Sequence, residues 1–290
     1  MNTKQYFIET YRSQLDLVGL VAIENPYPYN PQIEGLDVLF LVVRESGASE
    51  ETEQVCLNGK RIMVRTVDTG RLEQWIVGRG SGSIIQWMVR GEILLERDNY
   101  LTNIREQLML FPDMMREQKR FAEFSGFLRT YLQAKQDLED NNILDAHSHV
   151  MTALHHWAHI VLIEEGYHPE LTLWRQIRRV HPGVYKLYEE LTASPESLEQ
   201  RVRLVMLACE FTVMNKMKAC CSLLFEAISS RQEPWSLCEL QNYPLIQELH
   251  IDLSLVVQNL VKRAYVREVA VLPNNGDPDV MELRYLLTAI

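Results

Sequence analysis

Val18-Gly19-Leu20-Val21-Ala22-Ile23, then Glu24-Asn25, then eleven residues, then Asp37-Val38-Leu39-Phe40-Leu41-Val42-Val43: the reading of this stretch decides the fold. The first block is short, apolar and rich in β-branched residues, which predicts a strand over 18–23. The segment Glu24-Asn25-Pro26-Tyr27-Pro28-Tyr29-Asn30-Pro31 interrupts it with turn-forming residues. Leu36–Val43 is apolar at successive positions, so it predicts a central strand buried on both faces. Asp37 is the acidic residue at its start. Alternate residues of a strand share a face, so positions 37 and 39 look the same way.

Working outward, Phe7, Tyr11 and Leu15 fall on one stripe and predict a first helix over 3–15. Downstream, Glu53–Leu57 and Arg61–Val67 flank Asn58-Gly59, a strong hairpin signal. From Arg71 the pattern becomes helical, and after Leu101 it stays so, with Pro112 as a break. One helix is predicted over 145–165, with Val150, Leu154, Trp157 and Val161 on one face and Gly166 as its stop. Ser194-Pro195-Glu196 reads as an N-cap with proline in the first turn, opening a helix to about Ser229. Successive amphipathic helices of this kind make an α-bundle. The tail differs again. It predicts a small helix near Ser236, a stronger one over 252–264, and strands over 265–272 and 281–287 around Asn274-Asn275-Gly276-Asp277. Two helices followed by a hairpin is a winged-helix-like layout. The fold class is therefore α+β: a small mixed-sheet domain over 1–100, a helical bundle over 101–230 and a winged-helix-like module over 231–290.

A length of 290 residues suits two or three domains, and 47% hydrophobic with 23% charged residues suits packed cores rather than disorder. The net charge of −10 excludes a generally basic nucleic-acid binder. A local group, Lys262, Arg263 and Arg267, is the candidate DNA contact. The final sixty residues nevertheless hold five Lys/Arg against eight Asp/Glu, so packing or a protein interface competes with that reading. Cys56, Cys209, Cys220, Cys221 and Cys238 form no CxxC pair and suit a reducing cytosol. Met1–Tyr6 has no signal-peptide layout, and no apolar run of about 18 residues predicts a membrane span. The expectation is a cytoplasmic protein with no membrane partner, for which homo-oligomers stay open.

Two further clusters carry weaker signals. His155 and His159 are four apart and would share a helix face, but no HExxH pattern accompanies them, and bundle-interface histidines are the simpler reading. Gly78, Arg79, Gly80 and Ser81-Gly82-Ser83 form a glycine-rich loop without the lysine and spacing of a P-loop.

The strand, loop and acidic strand resemble the nucleotidyltransferase superfamily that includes DNA polymerase β. Its signature is an apolar residue with Gly-Gly or Gly-Ser, a spacer of about ten residues, then Asp-x-Asp or Asp-x-Glu. The resemblance implies that backbone amides approach nucleotide phosphates at Glu24-Asn25, where the family has its glycine pair. It implies a metal-binding, catalytic Asp37 and a further carboxylate from a later strand, for which Asp68 is the nearest candidate. It implies Mg²⁺ as cofactor, aligning an in-line displacement at the α-phosphorus. Two departures weaken this apparatus: Leu39 stands where the second carboxylate belongs, and Glu24-Asn25 replaces the small pair. Trp87–Asp98 is similar to the segment that closes many bacterial nucleotidyltransferase domains. Leu154–Ala158, Gly183–Leu191 and Glu233–Ser236 extend the likeness to a bacterial nucleotidyltransferase-like family along nearly the whole chain. The function implied is nucleotide or polyphosphate binding near Asp37, Glu24, Asn25 and Asp68, with weak or lost transfer from an NTP and weakly held Mg²⁺. The alternative is a non-catalytic regulatory or scaffold protein.

Overall fold

The computed structural model describes residues 2–24, 35–47, 49–77, 82–272 and 281–288. The chain divides into two compact units, Met1–Pro112 with His168–Thr172, and Asp113–Tyr167 with Leu173–Ile290.

The first unit runs α1 (Thr3–Tyr11), β1 (Leu17–Glu24), β2 (Val38–Arg44), β3 (Glu51–Leu57), β4 (Lys60–Asp68), α2 (Thr69–Val77), α3 (Gly82–Arg90), β5 (Glu92–Glu96) and α4 (Tyr100–Leu110). Its sheet has the order β3-β4-β2-β1-β5. β2 pairs parallel with β4 and antiparallel with β1, which makes the sheet mixed, as expected. Every residue of β2 from Val38 to Val43 is buried. Val38, Phe40 and Val42 join Phe7, Leu20, Ala22, Ile62 and Val64 in one core layer, where the Phe7 ring stacks on Phe40 at 4.0 Å. By strand alternation Leu39, Leu41 and Val43 face the other way, toward the side that α2 covers. The hairpin turns at Asn58-Gly59, both in the left-handed region with φ of 54° and 74°. That is the backbone a two-residue turn requires to match strand twist.

Three expectations need correction in this unit. The first helix stops at Tyr11, and Leu15 is 91% exposed, so the apolar stripe does not reach it. Glu92-Ile93-Leu94-Leu95-Glu96 is not helical but an edge strand paired with Gly19–Ala22. Five residues carry too little periodicity to separate strand from helix, and pairing with β1 decides. The domain boundary read near residue 100 precedes α4, which packs on β1 and β5. Gly19 makes that approach close: a Cβ there would stand 2.3 Å from Leu101 Cδ1.

The second unit contains α5 (Asp113–Glu139), α6 (Ile143–Glu164), α7 (Leu173–Val180), α8 (Pro182–Ala193), α9 (Leu198–Thr212), α10 (Met217–Cys220), α11 (Ser222–Ser229), β6 (Trp235–Ser236), α12 (Leu237–Gln241), α13 (Leu253–Lys262), β7 (Val266–Val271) and β8 (Glu282–Leu287). α5 and α6 pack along their lengths, burying Phe121, Phe124, Phe127, Val150, Leu154 and Trp157. The single helix expected from Pro195 to Ser229 is three helices, broken around Met214–Lys216 and at Cys221. Its cap is Ser197, which makes a reciprocal capping box with Gln200. The proline at a first helical position is Pro182, in α8. In the tail, β6, β7 and β8 form a second sheet in the order β6-β8-β7. The turn at 274–277 lies outside the described residues. All five cysteines are free, with Cys209, Cys220 and Cys221 buried as small apolar groups.

Candidate functional site

Asp37 sits just before β2, at the end of the sheet's central strand and exposed to solvent. Its backbone N–H donates to the Arg61 carbonyl at 2.8 Å, and its Oδ2 accepts from the Arg61 N–H at 2.7 Å. The side chain thus closes the end of the β2–β4 ladder. The position two residues on, Leu39, is 0% exposed. Across the parallel ladder, Leu39 is opposite Met63, while Arg61 lies beside Asp37. Neither neighbour on β4 offers an oxygen ligand from its side chain. Mg²⁺ demands near-octahedral oxygen coordination, and one carboxylate here does not supply it. The residues present do not fit the metal pair that the fold family implies.

Asp68 does not join Asp37. The ladder pairs Arg44 with Asp68 and Val38 with Ile62, so the two aspartates stand seven residues apart along parallel strands. At roughly 3.3 Å per residue that is about 23 Å, too far to share one ion. Asp68 instead receives the Arg71 N–H at 2.7 Å and the Gly47 N–H at 3.0 Å. These bonds hold its carboxyl below the usual aspartate range and cap the start of α2. At the near end, Glu24 pairs with Lys4 at 2.8 Å, and Lys4 also reaches Glu92 at 2.7 Å. The hydrogen bond from Lys4 lowers the Glu24 pKa. Asn25 lies outside the described residues, as do positions 78–81 of the glycine-rich loop. Lys262, Arg263 and Arg267 are exposed together where α13 gives way to β7.

The densest polar chemistry is elsewhere, between α5 and α6. Glu123 is buried, with Oε2 2.6 Å from His156 Nδ1 and Oε1 2.9 Å from His159 Nδ1. An ionised carboxylate only accepts, so each imidazole donates Nδ1–H to it. Burial alone would raise the Glu123 pKa, but the two hydrogen bonds more than offset this and hold the carboxyl far below its usual range. Gly126, one turn on, makes room for the ring: a Cβ there would stand 2.6 Å from His156 Cε1. Further along the same helix pair, Asp137 Oδ2 meets His149 Nδ1 at 2.6 Å. Lys119, also buried, is pushed down to about 8 by desolvation.

From this cluster a row of rings runs outward. His155 meets His159 with centroids 5.1 Å apart and the edge of Trp174 at 5.8 Å. Trp174 stacks on Tyr188 at 4.0 Å, Tyr188 lies 6.4 Å from Tyr185, and the Arg178 guanidinium sits over Tyr185 at 5.6 Å. Sequence reading marked His155 and His159 by their spacing. It missed Glu123, whose partners lie 33 and 36 residues away. Among the described residues no group of three or more His, Cys, Asp or Glu is placed to hold a metal ion.

Comparison with known proteins matches both units. A profile described as nucleotidyltransferase-like covers residues 2–116, and one described as YgxA-like substrate binding domain covers 117–216. The chain is 31% identical over 255 residues to the uncharacterized protein YgxA of Bacillus subtilis (strain 168), spanning 88% of this chain and 86% of that one. It is also similar to the crystal structure of a nucleotidyltransferase-like protein from Exiguobacterium sibiricum 255-15. That match has a TM-score of 0.87 and 29% identity, and covers 99% of this chain and 100% of the other.

Proposed function

The chain belongs to the bacterial nucleotidyltransferase-like family that includes YgxA, and from that premise we propose that it binds a nucleotide or polyphosphate while nucleotidyl transfer is weak or lost. One observation carries the loss: Leu39, at the second-carboxylate position, is fully buried among apolar neighbours. Retained binding is supported by the fold and by the description of the profile over 117–216 as a substrate binding domain. Mg²⁺ is then dispensable, since Asp37 has no partner carboxylate on β4. Calorimetric titration with a panel of NTPs, with and without Mg²⁺, tests the reading. Heat of equal size in both conditions supports it; silence with every nucleotide favours the scaffold alternative. Free cysteines, three of them buried, favour the cytoplasm as the working compartment.

A second reading is favoured by the tail. We propose a winged-helix-like module there, supported by α12 and α13 lying between β6 and β7 and by the strand order β6-β8-β7. Exposed Lys262, Arg263 and Arg267 make duplex DNA its candidate partner. Salt-dependent retardation of duplex DNA, lost on neutralising these three, is the expected result.

A further inference from the structure

We propose that the ligand site of the helical unit is the aromatic and arginine surface of α7 and α8, and that it takes a mononucleotide, with rings of the row around Trp174 against the base and Arg175, Arg178 and Arg179 on the phosphates. The proposal rests on the nucleotide-binding reading above and gives that binding a location away from Asp37.

Three observations carry it. The first is charge. Arg175, Arg178 and Arg179 fall within five residues of an acidic chain, all three are exposed, and none forms an ion pair with a carboxylate among the described residues. Exposed arginines without carboxylate partners keep their forked donors available, and that geometry matches phosphate oxygens. The second is the ring system. Trp174, Tyr185 and Tyr188 are half-buried and touch in sequence, while Arg178 lies over Tyr185. Trp174 and Arg178 are four apart on α7, so they share its face. Aromatic platforms interleaved with arginine bind nucleobases and phosphates together, and base–aromatic stacking is tolerant of base identity. The third is anchoring. His155 connects the outer rings to His159, which is fixed by the buried Glu123 carboxylate. A site built on tethered side chains loses little freedom on binding.

The cationic patch is small, and this sets the size of the ligand. Glu189 and Glu190 follow Tyr188 directly, and the whole chain carries −10. A long polyanion would leave the arginines and meet a repelling surface, whereas one triphosphate would not.

The test uses the full chain. ATP, adenosine, inorganic triphosphate and an octanucleotide of RNA are titrated by calorimetry in EDTA. The targets are wild type, the exposed triple variant Arg175→Gln/Arg178→Gln/Arg179→Gln, and a control on the exposed α5 cations, Arg129→Gln/Lys135→Gln. The expected result is ATP binding weakened at least tenfold in the α7 variant and unchanged in the α5 control. The urea midpoint of the α7 variant should equal that of wild type. ATP should also bind tighter than either adenosine or triphosphate. Equal ATP affinity in wild type and the α7 variant would overturn this site while leaving nucleotide binding standing. No heat with any nucleotide in wild type would overturn both. Tenfold tighter binding of the octanucleotide would overturn the mononucleotide assignment, and an equal loss in the α5 control would overturn the location.

Discussion

Placing the missing carboxylate back on β2, Leu39→Asp, asks whether the sheet still holds a cleft for a metal. Position 39 is 0% exposed, pairs with Ile23 on β1 and Met63 on β4, and lies on the face that α2 covers. Truncating a buried leucine costs about 2–5 kcal/mol through lost transfer energy and the cavity left behind. A carboxylate in the same place adds the desolvation of an unpaired charge, several kcal/mol more unless it is protonated. Against a typical stability of about 5–15 kcal/mol, the sum removes most of what holds the first unit together. The expected outcome is a large fall in the urea midpoint for Leu39→Asp, a smaller fall for Leu39→Ala, and no recovery of either on adding Mg²⁺ with ATP. Circular dichroism during urea titration reads all three. A Leu39→Asp protein as stable as wild type, and stabilised further by Mg²⁺ with ATP, would refute the reasoning. It would mean that residue 39 looks onto solvent and that a metal site needs only this one oxygen.

Glu123→Ala should destabilise the helical unit by about 3–5 kcal/mol, because it leaves two inward-facing imidazoles without their acceptor; chemical denaturation followed in the helical signal checks this. Gly126→Val should cost at least about 2 kcal/mol, since even a Cβ there meets the His156 ring at 2.6 Å, and His156→Ala should relieve the double variant relative to additivity. The depressed Glu123 pKa contributes stability that is fully present above its ordinary value of 4.5 and is lost as pH falls below that value toward the folded one. The acid limb of a stability–pH profile should therefore flatten in Glu123→Gln, and an unchanged limb would contradict the assignment.

Much of the sheet was legible because its signals are local. β2 is apolar on both faces and therefore central, and Asn58-Gly59 alone fixes the register of β3 against β4. β5 was not legible, because its five residues become a strand only by pairing with β1, seventy or more positions upstream. The breaks at Met214–Lys216 and Cys221 also escaped, because no proline or glycine marks them. At the candidate site, Leu39 was visible as a departure from the metal-binding pattern, and its burial followed from a strand apolar on both faces. The distance between Asp37 and Asp68 follows from parallel pairing, which a list of residues does not state. Glu123 reads as one more surface acid in a charged helix. Only the antiparallel packing of α5 on α6 turns it into the acceptor for two histidines.

Manganese is the most direct probe of the metal centre that the family fold implies. Titrating Mn²⁺ into wild-type protein with ATP, and following free Mn²⁺ by electron paramagnetic resonance, separates metal held by nucleotide from metal held by protein. The expected result is the same free Mn²⁺ as in ATP alone, together with ATP binding that persists in EDTA. An additional protein-dependent Mn²⁺ site, abolished by Asp37→Asn, would contradict it.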